Sequence, residues 1–260
     1  MELLRTAHRK TRLSEVIYIT LNIAFAIAVY AAIVIVNSLP LAVSIIILSK
    51  WRMLAVRPRF WAVNILTNLV DIIVGISVVT LLWSAHDATM TQIGLTVLYI
   101  VWLLLIKPRS KRAYIALQAG TAIFLGVTAL ATVGYSIDAG LYVALIWVIG
   151  YSASKHYLGS YDHEPLINIY SLVWSLVFVE YGWLMYHWTF AYAVPGLGGV
   201  KLVQGAIILT LMSFVVERMY SLPESPEERK VGDVIAPIVF SASIIILLVV
   251  FFNSVTTIGG

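Results

Sequence analysis

Apolar runs of about 20 residues, broken by short polar segments, repeat along the whole chain. At about 1.5 Å rise per residue, such a run covers the roughly 30 Å hydrocarbon core of a bilayer. Lipid offers no partner for exposed backbone groups, so the runs are read as helices. The pattern predicts nine spans at about 14–36, 39–56, 61–83, 90–107, 113–134, 138–156, 166–188, 197–217 and 234–253. The expected fold is all-α, one polytopic membrane helix bundle over residues 1–260 with no separate soluble domain.

The second span is the irregular one. Its apolar stretch, 39–49, is short, and Lys50 and Arg52 follow it. Charge placement argues that it crosses. With nine crossings and a cytoplasmic N-terminus, inside segments hold four Lys/Arg at 5–12, four at 50–59, four at 107–112, one at 155 and three at 218–230. Only Lys201 falls outside. Without that crossing, the 50–59 and 107–112 clusters would lie on opposite sides, against the positive-inside rule. Lys50 and Arg52 then reach to the inner interface by snorkelling, and the C-terminus lies outside. The basic start leads into a long apolar run without a small-residue cleavage pattern, and is expected to be a retained first helix.

Composition agrees: 61% of residues are hydrophobic and 12% charged, with mean hydropathy +0.94. The net charge of +4 is accounted for by inside loops, so no nucleic-acid partner is inferred. With no cysteine, disulfides, thiolate metal sites and cysteine nucleophiles are excluded. Alanine and glycine at intervals of four (Ala24/Ala28/Ala32, Ala116/Gly120, Ala122/Gly126) predict close helix approach.

Candidate chemistry comes from polar residues inside the runs. In "VNILTNLVDIIVG" at 63–75, Asn64, Asn68, Asp71 and Gly75 share an arc of about 60° at 100° per residue. Thr67 flanks it. A carboxylate near mid-span costs about 2.5–3.5 kcal/mol on insertion scales, so it needs a partner, water or a proton. Two readings follow: an ion, proton or small-solute site, or an interhelical hydrogen-bond clamp. The seventh span adds Glu180, with His187 two turns further on. Contact between the third and seventh spans would create a stepped His187–Glu180–Asp71 proton path. Lys201 and Gln204 open the eighth span and are candidates for an outer gate or anion contact. Tyr170, Trp174, Tyr181 and Trp188 share another face of the seventh span, and either line an apolar pocket or pack.

Other patterns carry little. "GLGGVK" lacks the phosphate-loop signature. Asp162, His163 and Glu164 are consecutive, which does not suit convergence on one metal. Ser152, near the inner end of the sixth span, would need a partnered histidine at similar depth to act as a nucleophile, and His187 lies at the opposite side of the membrane. No cofactor-binding or catalytic pattern stands out. Two functional classes remain: an ion- or proton-coupled transporter of a small solute around Asp71, and a non-catalytic scaffold or assembly subunit whose polar stripe meets a partner helix or a second copy. The bilayer is the common partner, and compactness with the charge rule points to a bacterial plasma membrane.

Overall fold

The computed structural model describes residues 2–85, 88–161, 164–193, 197, 200–223 and 230–252, and the side chains of all of these but 2–11 and 135. The described chain is nearly all helical. Nine α-helices follow in order: α1 Glu2–Val34, α2 Leu39–Ser49, α3 Trp61–Ser84, α4 Thr89–Val101, α5 Arg112–Val133, α6 Ala139–Leu158, α7 Ile167–His187, α8 Gln204–Tyr220 and α9 Val231–Phe251. Six described segments are long and apolar enough to cross a membrane: Arg12–Val34, Pro58–Ser84, Thr89–Ile106, Arg112–Val133, Ile167–His187 and Val231–Phe251. The protein is a helical chain compatible with membrane integration.

Two predicted spans change shape. The 39–56 span is helical only to Ser49. Ser38 caps its start, its hydroxyl accepting from the Leu41 N–H at 3.3 Å, and Pro40 sits in the first turn, where its missing donor costs nothing. The helix stops at Lys50, and the chain continues through two 3₁₀ turns, Trp51–Met53 and Pro58–Phe60. Pro58 forbids a helical residue before it, and Arg57 is extended accordingly (φ −58°, ψ 137°). The all-α expectation also needs an addition. The predicted 197–217 span begins as a strand, β2 Lys201–Val203, which pairs antiparallel with β1 Ala191–Ala193. Tyr192 faces Leu202 in that register, and α8 starts only at Gln204.

The bundle has two cores. α1–α4 surround Val29, Ile46, Val74 and Trp102, while α5–α8 surround Val127, Ile146, Phe178 and Leu209. Contact between α3 and α5 joins them, with Ile73 packed against both. Of the small-residue patterns, Ala122 and Gly126 lie buried at that joint, as expected. Ala24 and Ala28 instead face outward, because Ala26, Val29 and Ile33 turn the inward face of α1. Ala116 and Gly120 line a cavity. The most extensive helix contact is between α6 and α7. At Gly182 a Cβ would stand 2.8 Å from Ile146 Cγ2, so only glycine permits the approach.

Candidate functional site

Asp71 sits on the buried face of α3, between Val70 and Val74. About thirteen residues separate it from the C-terminal end of α3, or roughly 20 Å. Ten residues separate it from the N-terminal end, so it lies close to the middle of the helix.

Three side chains converge on the carboxylate. Lys50, at the C-cap of α2, forms an ion pair with Oδ2. The Lys107 ammonium stands 2.8 Å from the same oxygen. Trp102 Nε1 donates to Oδ1 at 3.2 Å. Lys50 and Asp71 are 12% and 13% exposed and Lys107 36%, so the triad is most open on the Lys107 side. Lys50 does not snorkel away to the interface as the pattern suggested; it turns inward to the charge.

The end of α4 makes this convergence. Residues Trp102–Ile106 form a π-helical turn, closed by the Lys107 N–H donating to the Trp102 carbonyl at 2.9 Å. In a regular α-helix, residues five apart point roughly 140° from each other; an i→i+5 turn narrows that to roughly 50°. The π turn therefore brings Trp102 and Lys107 to one face, and both reach Asp71. A single backbone irregularity thus supplies two of its three partners.

The segment after the π turn is held by Gln118 on α5, whose role no sequence motif marks. Its Nε2 reaches the carbonyls of Ile106, Lys107 and Arg109 at 2.8, 3.3 and 3.0 Å. Its Oε1 lies 2.7 Å from His156 Nε2 on α6. Gln118 is buried, so it ties the chain beside the triad to the second core.

The rest of the predicted stripe does not join the triad. Asn68 Nδ2 donates to the Asn64 carbonyl at 2.9 Å, a bond within α3 itself. Thr67 Oγ1 donates to the same carbonyl at 3.0 Å. Gly75 lies on the same buried face but serves packing, giving room to Ile46 and Tyr99.

Glu180 lies elsewhere. α7 buries Ser171, Ser175, Phe178, Gly182 and Met185, and turns Glu180 outward among exposed Leu176, Trp183 and Leu184. Among the described residues Glu180 makes no hydrogen bond or ion pair. His187 is exposed on the same side, its ring 4.6 Å from that of Trp183. Asp71 is closed in by α2, α3 and α4, so the stepped path His187–Glu180–Asp71 is not assembled. Lys201 is half-buried on β2 opposite Ala193 and does not neutralise Glu180. Gln204 is buried at the start of α8, where its N–H donates to the Phe190 carbonyl at 2.9 Å.

The aromatic face of α7 lines cavities. Tyr170 and Trp174 border a cavity of 1290 Å³ around α5, and Tyr181 and Trp188 border a smaller one of 340 Å³ with Gln204. Asp162 and His163 lie outside the described residues; Glu164 accepts hydrogen bonds from the Leu166 N–H at 3.0 Å and from the Tyr220 hydroxyl. The Ser152 hydroxyl is buried without a hydrogen-bond partner. Among the described residues, no three His, Asp or Glu side chains group as metal ligands.

The chain matches no family model, no curated protein and no solved structure. Fold and polar residues therefore define only a class, a nearly all-helical chain compatible with membrane integration, with Asp71 tied inside the bundle and Glu180 left on its surface.

Proposed function

We propose that the protein is a non-catalytic assembly subunit of a membrane complex, and that the outward face of α7 receives a helix of its partner. The observation that carries this reading is Glu180. It stands about 10 Å from the C-terminal end of α7, at a depth where lipid surrounds an unpartnered face. A carboxylate exposed to hydrocarbon costs about 2.5–3.5 kcal/mol on insertion scales, and such groups are normally turned inward or paired. The partner helix carries a hydrogen-bond donor or a base at the depth of Glu180.

The topology proposed with it has nine crossings, the N-terminus in the cytoplasm and the C-terminus outside, in a bacterial plasma membrane. Support comes from Lys50 and Lys107: sharing one carboxylate, they bring the 50–59 and 107–112 clusters to the same end of the bundle. In this topology residues 50–60 complete the passage that the 11-residue α2 begins.

The test is purification in mild detergent of the wild type, Glu180→Leu and Glu180→Gln. A membrane protein at fixed stoichiometry with the wild type, lost in Glu180→Leu, is the expected result. A wild type that runs alone, or a partner equally retained by Glu180→Leu, ends the proposal. A second reading, proton- or ion-coupled transport of a small solute, draws on the surplus cation at Asp71 and the exposure of Lys107. It requires solute uptake by reconstituted protein that Asp71→Asn abolishes while the chain still folds.

A further inference from the structure

The large cavity borders Trp102 and Ile106 of the π turn and extends from there along α5, away from the Asp71 carboxylate. It wraps α5 between α4 on one side and α6, α7 and α8 on the other. Its wall runs along α5 from Arg112 to Leu125, a length of roughly 20 Å. One acyl tail occupies about half of a 30 Å hydrocarbon core, so this length suits a single chain. The volume of 1290 Å³ exceeds the range of about 300–1,000 Å³ for compact small-molecule pockets.

The wall is polarised. Its deep end is apolar, with Val78, Leu95, Phe124 and Leu125. Its other end carries Arg112, Glu217 and Arg218. The Arg112 guanidinium lies over the Tyr161 ring at 4.1 Å and has no carboxylate partner among the described residues. Arg218 Nε stands 3.5 Å from Glu217 Oε2. The nearby Glu164 is engaged by the Tyr220 hydroxyl. Arg218 is thus paired with Glu217, while Arg112, with no carboxylate partner among the described residues, stands at the mouth of a chain-shaped apolar space. Guanidinium groups favour phosphate and carboxylate heads through paired N–H donors.

We infer that this cavity binds an anionic long-chain amphiphile, its tail along α5 and its phosphate or carboxylate head at Arg112 and Arg218. The cavity reaches α7 at Tyr170, Val173 and Trp174, toward its N-terminal end from Glu180, and its test reads lipid rather than a partner protein. Gly120 gives a direct handle: it lines the cavity, and a Cβ there meets nothing within 4 Å, so Gly120→Phe fills the space without a clash at its base.

The experiment uses the full chain in phosphatidylcholine bilayers. Phosphatidylglycerol with brominated tails is titrated in, and phosphatidylcholine with the same tails serves as comparator. The signal is the quenched emission of Trp174, taken as the difference between wild type and Trp174→Phe. The expected result is half-quenching by the anionic lipid at a several-fold lower mole fraction than by the neutral one. Arg112→Gln with Arg218→Gln abolishes that difference, and Gly120→Phe removes the selective quenching. Equal quenching by both lipids in the wild type shows only bilayer contact and overturns the site. So does selectivity that survives the double arginine variant. If that variant fails to fold, Gly120→Phe decides, and unchanged selectivity in it overturns the inference.

Discussion

Asp71 and Glu180 are both carboxylates inside long apolar helices, and the protein treats them in opposite ways. Around Asp71, three elements bend toward the charge: α2 ends at Lys50, α4 loosens into a π turn, and α3 thins at Gly75. Around Glu180, α7 keeps regular helical geometry and turns the charge outward, with glycine and phenylalanine packed on the other face. A buried charge costs several kcal/mol unless paired, so the first site is closed by its own chain. The second is open and has no such closure. The contrast teaches that depth in the sequence does not distinguish an internal clamp from an external contact; the direction of the helix face does.

The largest expected effect breaks the closed side. Asp71→Ala leaves Lys50 buried beside Lys107 with no counter-charge, and should cost about 3–5 kcal/mol, read as a fall in the detergent melting temperature. Replacing all three charges together, Lys50→Met, Asp71→Leu and Lys107→Met, should recover most of that loss, because a well-packed apolar cluster often replaces a buried ion group without penalty. Continued loss in the triple variant would mean that the triad does more than balance charge.

The open side responds with the opposite sign. Glu180→Leu should improve membrane insertion of an α7 segment by up to about 3 kcal/mol, measured as the inserted fraction in a translocation assay. The isolated chain should melt no lower than wild type. A clear drop in its melting temperature would show that Glu180 is bound within the chain after all.

Trp102→Phe sharpens the comparison at a single bond. It keeps the ring volume in the core and removes the donor to Asp71 Oδ1, with an expected loss of about 1.5 kcal/mol in thermal unfolding. Smallest of all is Asn68→Ala. Its amide bonds only to its own helix and its neighbour Thr67, so the change should stay within about 0.5 kcal/mol. A loss as large as that of Trp102→Phe would restore the asparagines to the Asp71 site.

The helices α3, α5, α7 and α9 follow the hydrophobic pattern to within a few residues, because long apolar runs with polar breaks leave little freedom. α2 and α8 do not. The 39–56 run hides a stop at Lys50, where a charge bound in the interior ends the helix, and the 197–217 run hides a strand in a glycine-rich approach to Gln204. Asp71 was legible as a charge needing a partner. Its partners were not, since lysines at the ends of spans look like ordinary interfacial anchors, and no sequence pattern announces a π turn that aims one inward. The exposure of Glu180 was equally hidden: α7 is apolar on every side, so no stripe marks which face meets its neighbours. In the sequence Arg112 and Arg218 look like ordinary loop charges, and the cavity between them depends on helices far apart in the chain.

The shortness of α2 leaves its end unfinished on its own. Eleven residues extend only about 16 Å, roughly half of a 30 Å core. Asn37, at φ 52°, folds the segment back on α1, and the two pack as a hairpin. Lys50, at the end of that hairpin, meets its counter-charge only on α3, at Asp71, and the π turn after α4 adds Trp102 and Lys107. The first four helices therefore share one electrostatic unit, and no one of them closes it alone.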